Sequence, residues 1–299
     1  MRETVYKMTG SVDINLALLS DTHNTDPKPI LASLQKHQPQ LIAITGDLWV
    51  CYKPQGDELT IHEQKNVISL VSGCTDIAPT YISLGNHEWM VGSEEIALLE
   101  STGAVVMDNT FLSHTCIGDQ EVLIAGLTSS IATYYQQLRE TCRETGTDIG
   151  RYSYRSQRIN LKHFETDTAW LTDFERQDGY KILLCHHPEY WSLRKPRLCE
   201  RKIDLVLSGH AHGGQMRIFN QGVYAPGQGW LPKFTSGVYD GEWGHLVISR
   251  GLANTAQVPR VFNETELVYV EVNDYRSYIG GRDGTNYRTG DGSVEDTNQ

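Results

Sequence analysis

Residues 203–214 read IDLVLSGHAHGG. A short run rich in Val and Leu stops at Gly209, and two histidines, His210 and His212, follow two positions apart. The same grammar recurs along the chain. Ile14–Leu19 runs into Asp21-Thr22-His23, and Leu41–Thr45 into Gly46-Asp47. Thr80–Leu84 runs into Gly85-Asn86-His87-Glu88, and Lys181–Cys185 into His186-His187-Pro188. Such nearly continuous apolar runs suit strands buried on both faces, as in a sheet covered by helices. Val122–Ala125, His245–Ser249 and Leu267–Val272 read as further strands. Helical segments fit between them. Asp26-Pro27 opens one to about His37, with Pro at its first position. Another covers Ile61–Val71 and ends at Gly73. A third begins at Ser93-Glu94-Glu95, where the acids suit a helix N-terminus. The alternation of strand and helix predicts an α/β domain.

Loops at the carboxyl ends of parallel strands converge on one edge of the sheet. The five runs would therefore bring Asp21, His23, Asp47, Asn86, His186, His210 and His212 into one pocket. These donors are too many for one tetrahedral site and suit two adjacent ions. Two metals about 3.5–4 Å apart are a known arrangement for phosphoester hydrolysis. Asp47 is the expected bridge, because Gly46 lets the backbone approach closely. Imidazole and oxygen donors without thiolate favour Mn, Fe, Zn, Co or Ni over Ca or Mg, and manganese is the first expectation. Two divalent cations set against Asp21, Asp47 and one hydroxide leave about +1 in the cleft. That field can hold a phosphate despite a net charge of −11. Exposed charges beyond about 8–10 Å are largely screened.

Taken in order, Asp21-x-His23, Gly46-Asp47, Gly85-Asn86-His87-Glu88, His186 and Gly209-His210-x-His212 resemble the signature of calcineurin-like metallophosphoesterases. The resemblance covers roughly residues 14–272. Gly213-Gly214-Gln215, Gly251 and Pro259-Arg260 resemble a bacterial branch that includes enzymes hydrolysing UDP-2,3-diacylglucosamine and related phosphodiesters. The resemblance implies a four-layer αββα sandwich, two β-sheets between helices, with a dinuclear metal site at the carboxyl ends of the strands. It implies that Asp21, His23, Asp47 and His212 hold one ion, and Asp47, Asn86, His186 and His210 the other. His87 would face the phosphate and stabilise or protonate the leaving oxygen. The implied reaction is cleavage of a phosphodiester or pyrophosphate in a small phosphorylated substrate, by in-line attack of a metal-bridging hydroxide. Two rivals stand beside it: a phosphomonoesterase acting on a nucleotide or phosphoprotein, and a non-catalytic metal-binding scaffold. A scaffold has no use for His87 as an acid.

The chain has 299 residues, 39% of them hydrophobic, which suffices for a sizeable core. The reading is one domain over residues 1–273, with an insertion at 129–164 and a polar, disordered tail at 274–299. The acidic balance argues against a broad grip on long nucleic acid. No apolar run reaches the roughly 18–20 residues that span a bilayer, so no transmembrane segment is expected; peripheral membrane contact stays open. Met1–Val12 shows no basic region followed by an apolar stretch, and the six cysteines are scattered. The expected setting is the cytoplasm, with reduced thiols. Several residues admit two readings. His187 is a supporting or a loop residue. Glu88 supports the site or lies on the surface. Arg217 touches a phosphate or makes an ion pair. Trp49 and Trp89 stack on substrate at the mouth or pack inside. The stretch 223–239 is a flap or a packed loop. His37, His62, His114, His163 and His245 are expected in surface or packing roles, Cys185 as a buried thiol and Asp204 as structural.

Overall fold

Strand residues whose side chains alternate between two apolar layers need no polar face, and the central strands here are of that kind. The computed structural model describes residues 1–50, 64–146, 166–254 and 258–274. In chain order the first part forms β1 (Arg2–Gly10), β2 (Ile14–Leu19), α1 (Lys28–His37), β3 (Leu41–Ile44), α2 (Lys65–Thr75), β4 (Thr80–Ile82), α3 (Ser93–Glu100) and β5 (Val105–Val106). Then come β6 (Thr110–Ile117), β7 (Gln120–Leu127), α4 (Ser130–Thr145), α5 (Leu171–Arg176), β8 (Tyr180–Cys185) and β9 (Leu205–Ser208). Two small hairpins follow, β10–β11 (Arg217–Ile218, Gln221–Gly222) and β12–β13 (Tyr224–Ala225, Gly229–Trp230). The last strands are β14 (Gly237–Asp240), β15 (His245–Ile248) and β16 (Glu266–Asp274).

These strands build two six-stranded sheets, ordered β1-β16-β2-β3-β4-β5 and β14-β15-β9-β8-β7-β6. In the first, β2 to β5 run parallel, while β16 lies antiparallel to β2. In the second, β15, β9, β8 and β7 are parallel, with β14 and β6 antiparallel at the edges. Leu16, Leu18, Leu41 and Ala43 of the first sheet meet Ile124, Ile182, Leu184 and Leu207 of the second in the central core. Their neighbours Ala17, Leu19, Ile42 and Ile44 face outward onto Ile30, Leu34, Val67 and Leu70 of α1 and α2. On the far side Leu123, Leu183, Val206 and Leu246 pack on Leu171 and Phe174 of α5, and on Trp191 and Phe234. The result is four layers, two sheets between outer layers of unequal thickness. α5 is only six residues long, and turns complete its layer. No helix among the described residues is long and apolar enough to cross a membrane.

The short strands β5 and β10 to β13 were not anticipated, nor were three longer ones. β1, RETVYKMTG, has no continuous apolar run; it is an edge strand held by a nine-residue parallel register on β16. β6 and β14 are likewise edge strands with exposed positions. The α2 reading also shifts. The helix continues through Gly73 to Thr75, and its expected start at Ile61 lies outside the described residues. Gly73 is there for close approach: a Cβ on it would lie 2.5 Å from Leu31 Cδ1 of α1. Within the 129–164 segment, Ser129 caps α4 by accepting from Ile131 N at 3.3 Å, and Gly146 at φ +65° ends it. Residues 147–164 and the tail beyond Asp274 lie outside the described residues.

Candidate metal centre

The five motifs follow five parallel strands, but on two sheets rather than one. Asp21 and His23 come after β2, Asp47 after β3, and Asn86 and His87 after β4; His186 follows β8, and His210 and His212 follow β9. Beyond the strands, the first loops stay paired. Asp21 N donates to Gly46 O at 3.1 Å, His23 N to Asp47 O at 3.1 Å, and Asn24 N to Leu48 O at 2.8 Å. Asp21, His23, Asp47, His210 and His212 all adopt positive φ, at 53°, 41°, 55°, 64° and 47°. Left-handed backbone costs a non-glycine residue about 1–2 kcal/mol and persists only where the surroundings impose it. Two glycines permit the crowding. A Cβ on Gly46 would lie 2.3 Å from Gly85 N, and one on Gly209 would lie 1.7 Å from Ser20 Oγ.

The side chains converge. Asp47 Oδ2 lies 3.2 Å from His186 Nε2, 3.8 Å from His23 Nε2 and 3.9 Å from His87 Nε2. Asp21 Oδ1 lies 3.3 Å from His212 Nε2 and 4.0 Å from His186 Nε2. Asn86 Oδ1 is 3.1 Å from His186 Nε2. Donor atoms of Asp21, His23 and His212 lie within 4.8 Å of one another; so do those of Asp47, His186 and His210, and those of His23, Asp47 and His87. All seven donors expected from the sequence, and His87, thus meet in one place, with Asp47 common to two groups.

The chemistry of this arrangement fits cations. His23 Nδ1 donates to Trp49 O at 2.9 Å and His186 Nδ1 to Thr45 O at 2.7 Å, so each ring turns Nε2 toward the carboxylates. The other oxygen of each carboxylate is already held. Asp21 Oδ2 accepts from Ser20 Oγ at 2.7 Å and His210 N at 3.0 Å, and Asp47 Oδ1 accepts from His87 N at 2.8 Å. Asp21 Oδ1 and His23 Nε2 are buried without a hydrogen-bond partner. Burial pushes His23 down to about 3, with the His87 charge adding to it; burial also depresses His210 and His212. These rings are therefore neutral, with lone pairs to give. Burial works against ionised Asp21 and Asp47. The imidazoles around them, His212 and His186 at Asp21 and His186 and His87 at Asp47, oppose that effect and keep both below the usual carboxylate range. His186 is raised to about 10: burial opposes its charge, but Asp47 prevails. It holds a proton where a cation would displace one, since metal binding releases protons from its ligands.

Glu88 settles as a support rather than a surface group. It is fully buried, its Oε2 accepting from Gly85 N at 2.6 Å and Asp47 N at 2.8 Å, and its Oε1 from Leu48 N at 2.7 Å. Burial and the Asp47 charge push its carboxyl up to about 7. Arg260 Nη2 lies 3.1 Å from His212 Nδ1, and Asn263 Nδ2 donates to His212 O at 2.7 Å. His187 is buried beside the cluster, with Nε2 2.7 Å from Ser129 Oγ. Asn263 and Glu189 were not singled out in the sequence; for Glu189 the only signal is a carboxylate two positions after His187.

Arg217 is buried and has no ion pair among the described residues; its guanidinium donates to Gly213 O, Thr235 Oγ1 and Asn220 O. Trp49 packs in the core beneath the helices, and Trp89 packs on Tyr135 at 4.8 Å between centroids. In the 223–239 stretch, Gln228 clasps the backbone of Phe234 at both N and O. His37 stacks on Tyr269, His114 meets Glu121 and His245 meets Asp240, all away from the cluster; His62 and His163 lie outside the described residues. Cys185 is buried in β8, its thiol pushed up by burial, and Asp204 accepts from Lys181 N at 2.8 Å.

Among known proteins, the chain is similar to the putative metallophosphoesterase F40B5.2 of Caenorhabditis elegans. The two are 28% identical over 222 residues, 71% of this chain and 39% of that protein. It is 28% identical over 269 residues to the uncharacterized metallophosphoesterase Cj0846 of Campylobacter jejuni, covering 87% of this chain and 59% of the other. To the uncharacterized protein YpbG of Bacillus subtilis it is 24% identical over 229 residues, 76% and 72% of the two chains. The chain thus spans about two fifths of the worm relative and about three fifths of the Campylobacter one. The profile of one family, described as calcineurin-like phosphoesterase, matches residues 14–214. That match runs through all five loops that meet at Asp47, and the chain belongs to the calcineurin-like phosphoesterase family.

Proposed function

We propose that the chain is a dinuclear metal-dependent phosphoesterase that cleaves a phosphodiester or pyrophosphate bond in a small phosphorylated substrate. The observation that carries this is the place of Asp47, whose Oδ2 faces His186 of one sheet and His23 of the other at 3.2 and 3.8 Å. Asp21, His23 and His212 would hold one cation, Asn86, His186 and His210 the other, with Asp47 between them. Divalent cations there, Mn, Fe, Zn, Co or Ni by the donor set, polarise phosphoryl oxygens and lower the pKa of bound water to about 7.

The protein's own contribution is position and a proton. His87 has the most exposed ring of the cluster, 16% against 13% for His212 and less for the rest. A proton on its Nε2, 3.9 Å from Asp47 Oδ2, sits at the mouth of the site, where a leaving oxygen can take it. The backbone N–H of the same residue holds Asp47 Oδ1. One residue thus both presents the acid and fixes the bridging carboxylate. The diester or pyrophosphate preference is supported by the likeness of Gly213-Gly214-Gln215 and Arg260 to the diester-cleaving branch. Manganese-loaded protein tested with bis(p-nitrophenyl) phosphate and p-nitrophenyl phosphate checks it. Faster diester turnover is expected; dominant monoester turnover overturns the preference, and metal binding with no turnover of either favours the scaffold.

A further inference from the structure

Next to the Asp47 cluster lies a small chamber. Its walls include Ser130, His187, Glu189, Tyr190 and His210, and its volume is about 20 Å³, room for one water. Glu189 enters it from the turn Pro188–Tyr190 that follows β8. The side chain is 2% exposed, and neither carboxylate oxygen has a hydrogen-bond partner. A buried carboxylate left in that state is costly, so its surroundings should supply a proton or a cation. Two groups face it: His210 Nε2 is 3.7 Å from Oε1, and His187 Nδ1 is 3.9 Å from Oε2. Gly227 packs closely against the carboxylate: a Cβ on it would lie 1.9 Å from Oε1. Arg194, also at the wall, gives its Nη2–H to Gly227 O at 2.9 Å rather than to the carboxylate.

We propose that Glu189 is a positioning residue of the metal centre: it accepts the Nε2–H of His210, directly or through one water, and so leaves His210 Nδ1 as the nitrogen offered to a cation beside Asp47 and His186. The inference rests on the dinuclear reading above. The same device is visible twice nearby, where Trp49 O takes the second N–H of His23 and Thr45 O that of His186. Among the described residues no carbonyl accepts a ring N–H of His210, and Glu189 is the acceptor its ring faces. His187 completes the arrangement. Its Nε2 lies 2.7 Å from Ser129 Oγ; with the hydroxyl as donor, the ring proton is on Nδ1, the nitrogen that faces the second oxygen of Glu189. Such outer partners set the tautomer and orientation of a ligating histidine, and losing one typically lowers metal affinity about 10–100-fold.

Titrating Mn²⁺ into metal-free protein, by calorimetry with metal counting by mass spectrometry, tests this. The wild type should bind two ions. Glu189→Ala should weaken one of them about 10–100-fold and spare the other, and Glu189→Gln, whose amide oxygen still accepts, should weaken it less. The metal-free form of Glu189→Gln should melt no lower than wild type, because it keeps an acceptor for His210 while a buried carboxylate is removed; a merely structural glutamate would lower it. Unchanged affinities overturn the proposal. So does equal weakening of both ions with a lower melting point of metal-free Glu189→Gln. A third ion in the wild type that Glu189→Ala loses would make Glu189 a ligand and also overturn it. A wild type that binds no Mn²⁺ refutes the dinuclear reading itself, a result distinct from the other three.

Discussion

Removing the Glu88 side chain should damage the fold and the metal centre together. The carboxylate gathers three backbone N–H groups, those of Gly85, Asp47 and Leu48, at 2.6, 2.8 and 2.7 Å, inside a fully buried site. In Glu88→Ala all three donors are left without an acceptor. An unsatisfied buried donor costs about 1–3 kcal/mol, so the gross loss is roughly 3–9 kcal/mol. Loss of a buried charge offsets part of it, and a net destabilisation of about 2–6 kcal/mol is expected. Glu88→Gln separates the contributions. Its single oxygen can replace Oε2 and keep Gly85 and Asp47, while Leu48 N meets an NH₂ group and loses its acceptor, at roughly 1–3 kcal/mol. Urea unfolding of the metal-free proteins reads both values, and Mn²⁺ affinity should fall in the same order because the Asp47 loop is what loosens. If Glu88→Ala unfolds within about 1 kcal/mol of wild type, the three hydrogen bonds do not hold these loops as argued.

Three other outcomes are expected. His87→Ala should keep both cations and lose about 10²–10⁴-fold in turnover, measured as metal content beside rate; loss of a cation would make His87 a ligand instead of the acid. Gly209→Ala removes no donor, yet its Cβ would lie 1.7 Å from Ser20 Oγ and 2.5 Å from Asp21 Oδ2, so it should lower metal affinity and cost about 1–3 kcal/mol of stability. Wild-type affinity and melting point in that variant would contradict the close approach of the β2 and β9 loops. The Ser33 hydroxyl, with His37 and Lys36, holds the Glu3 carboxyl down from 4.5 to about 2, against a smaller opposing effect of burial. A depressed carboxyl stabilises above its unfolded value and loses that contribution as pH falls from about 4.5 toward 2. Glu3→Gln should therefore melt below wild type at pH 6 and converge with it near pH 2; a gap that does not change with pH would be inconsistent with this contact.

The centre of the fold was legible because its strands are buried on both faces. β2, β3, β8 and β9 carry nearly unbroken apolar runs, and each ends at the residues that meet around Asp47. β1 was not legible, since an edge strand needs no such run, and its pairing with β16 joins opposite ends of the chain. Strand character does not reveal pairing either, so five loops read as one sheet edge are three loops of one sheet and two of another. Among the site residues, metal donors announce themselves by type, whereas their supports do not. Glu88 could not be assigned because its partners include backbone N–H groups about 40 residues earlier, at Asp47 and Leu48. Glu189 faces His210 across a turn and a strand, a relation that no local spacing encodes. Arg217 and the two tryptophans point the same way: their residue types suit ligand contact, while their burial assigns them to packing and backbone support.

Anomalous diffraction from crystals of manganese-loaded protein tests the central claim most directly. The account predicts two metal peaks about 3.5–4 Å apart, with the Asp47 carboxylate touching both. A single peak, or a pair of ions that leaves Asp47 untouched, would contradict it.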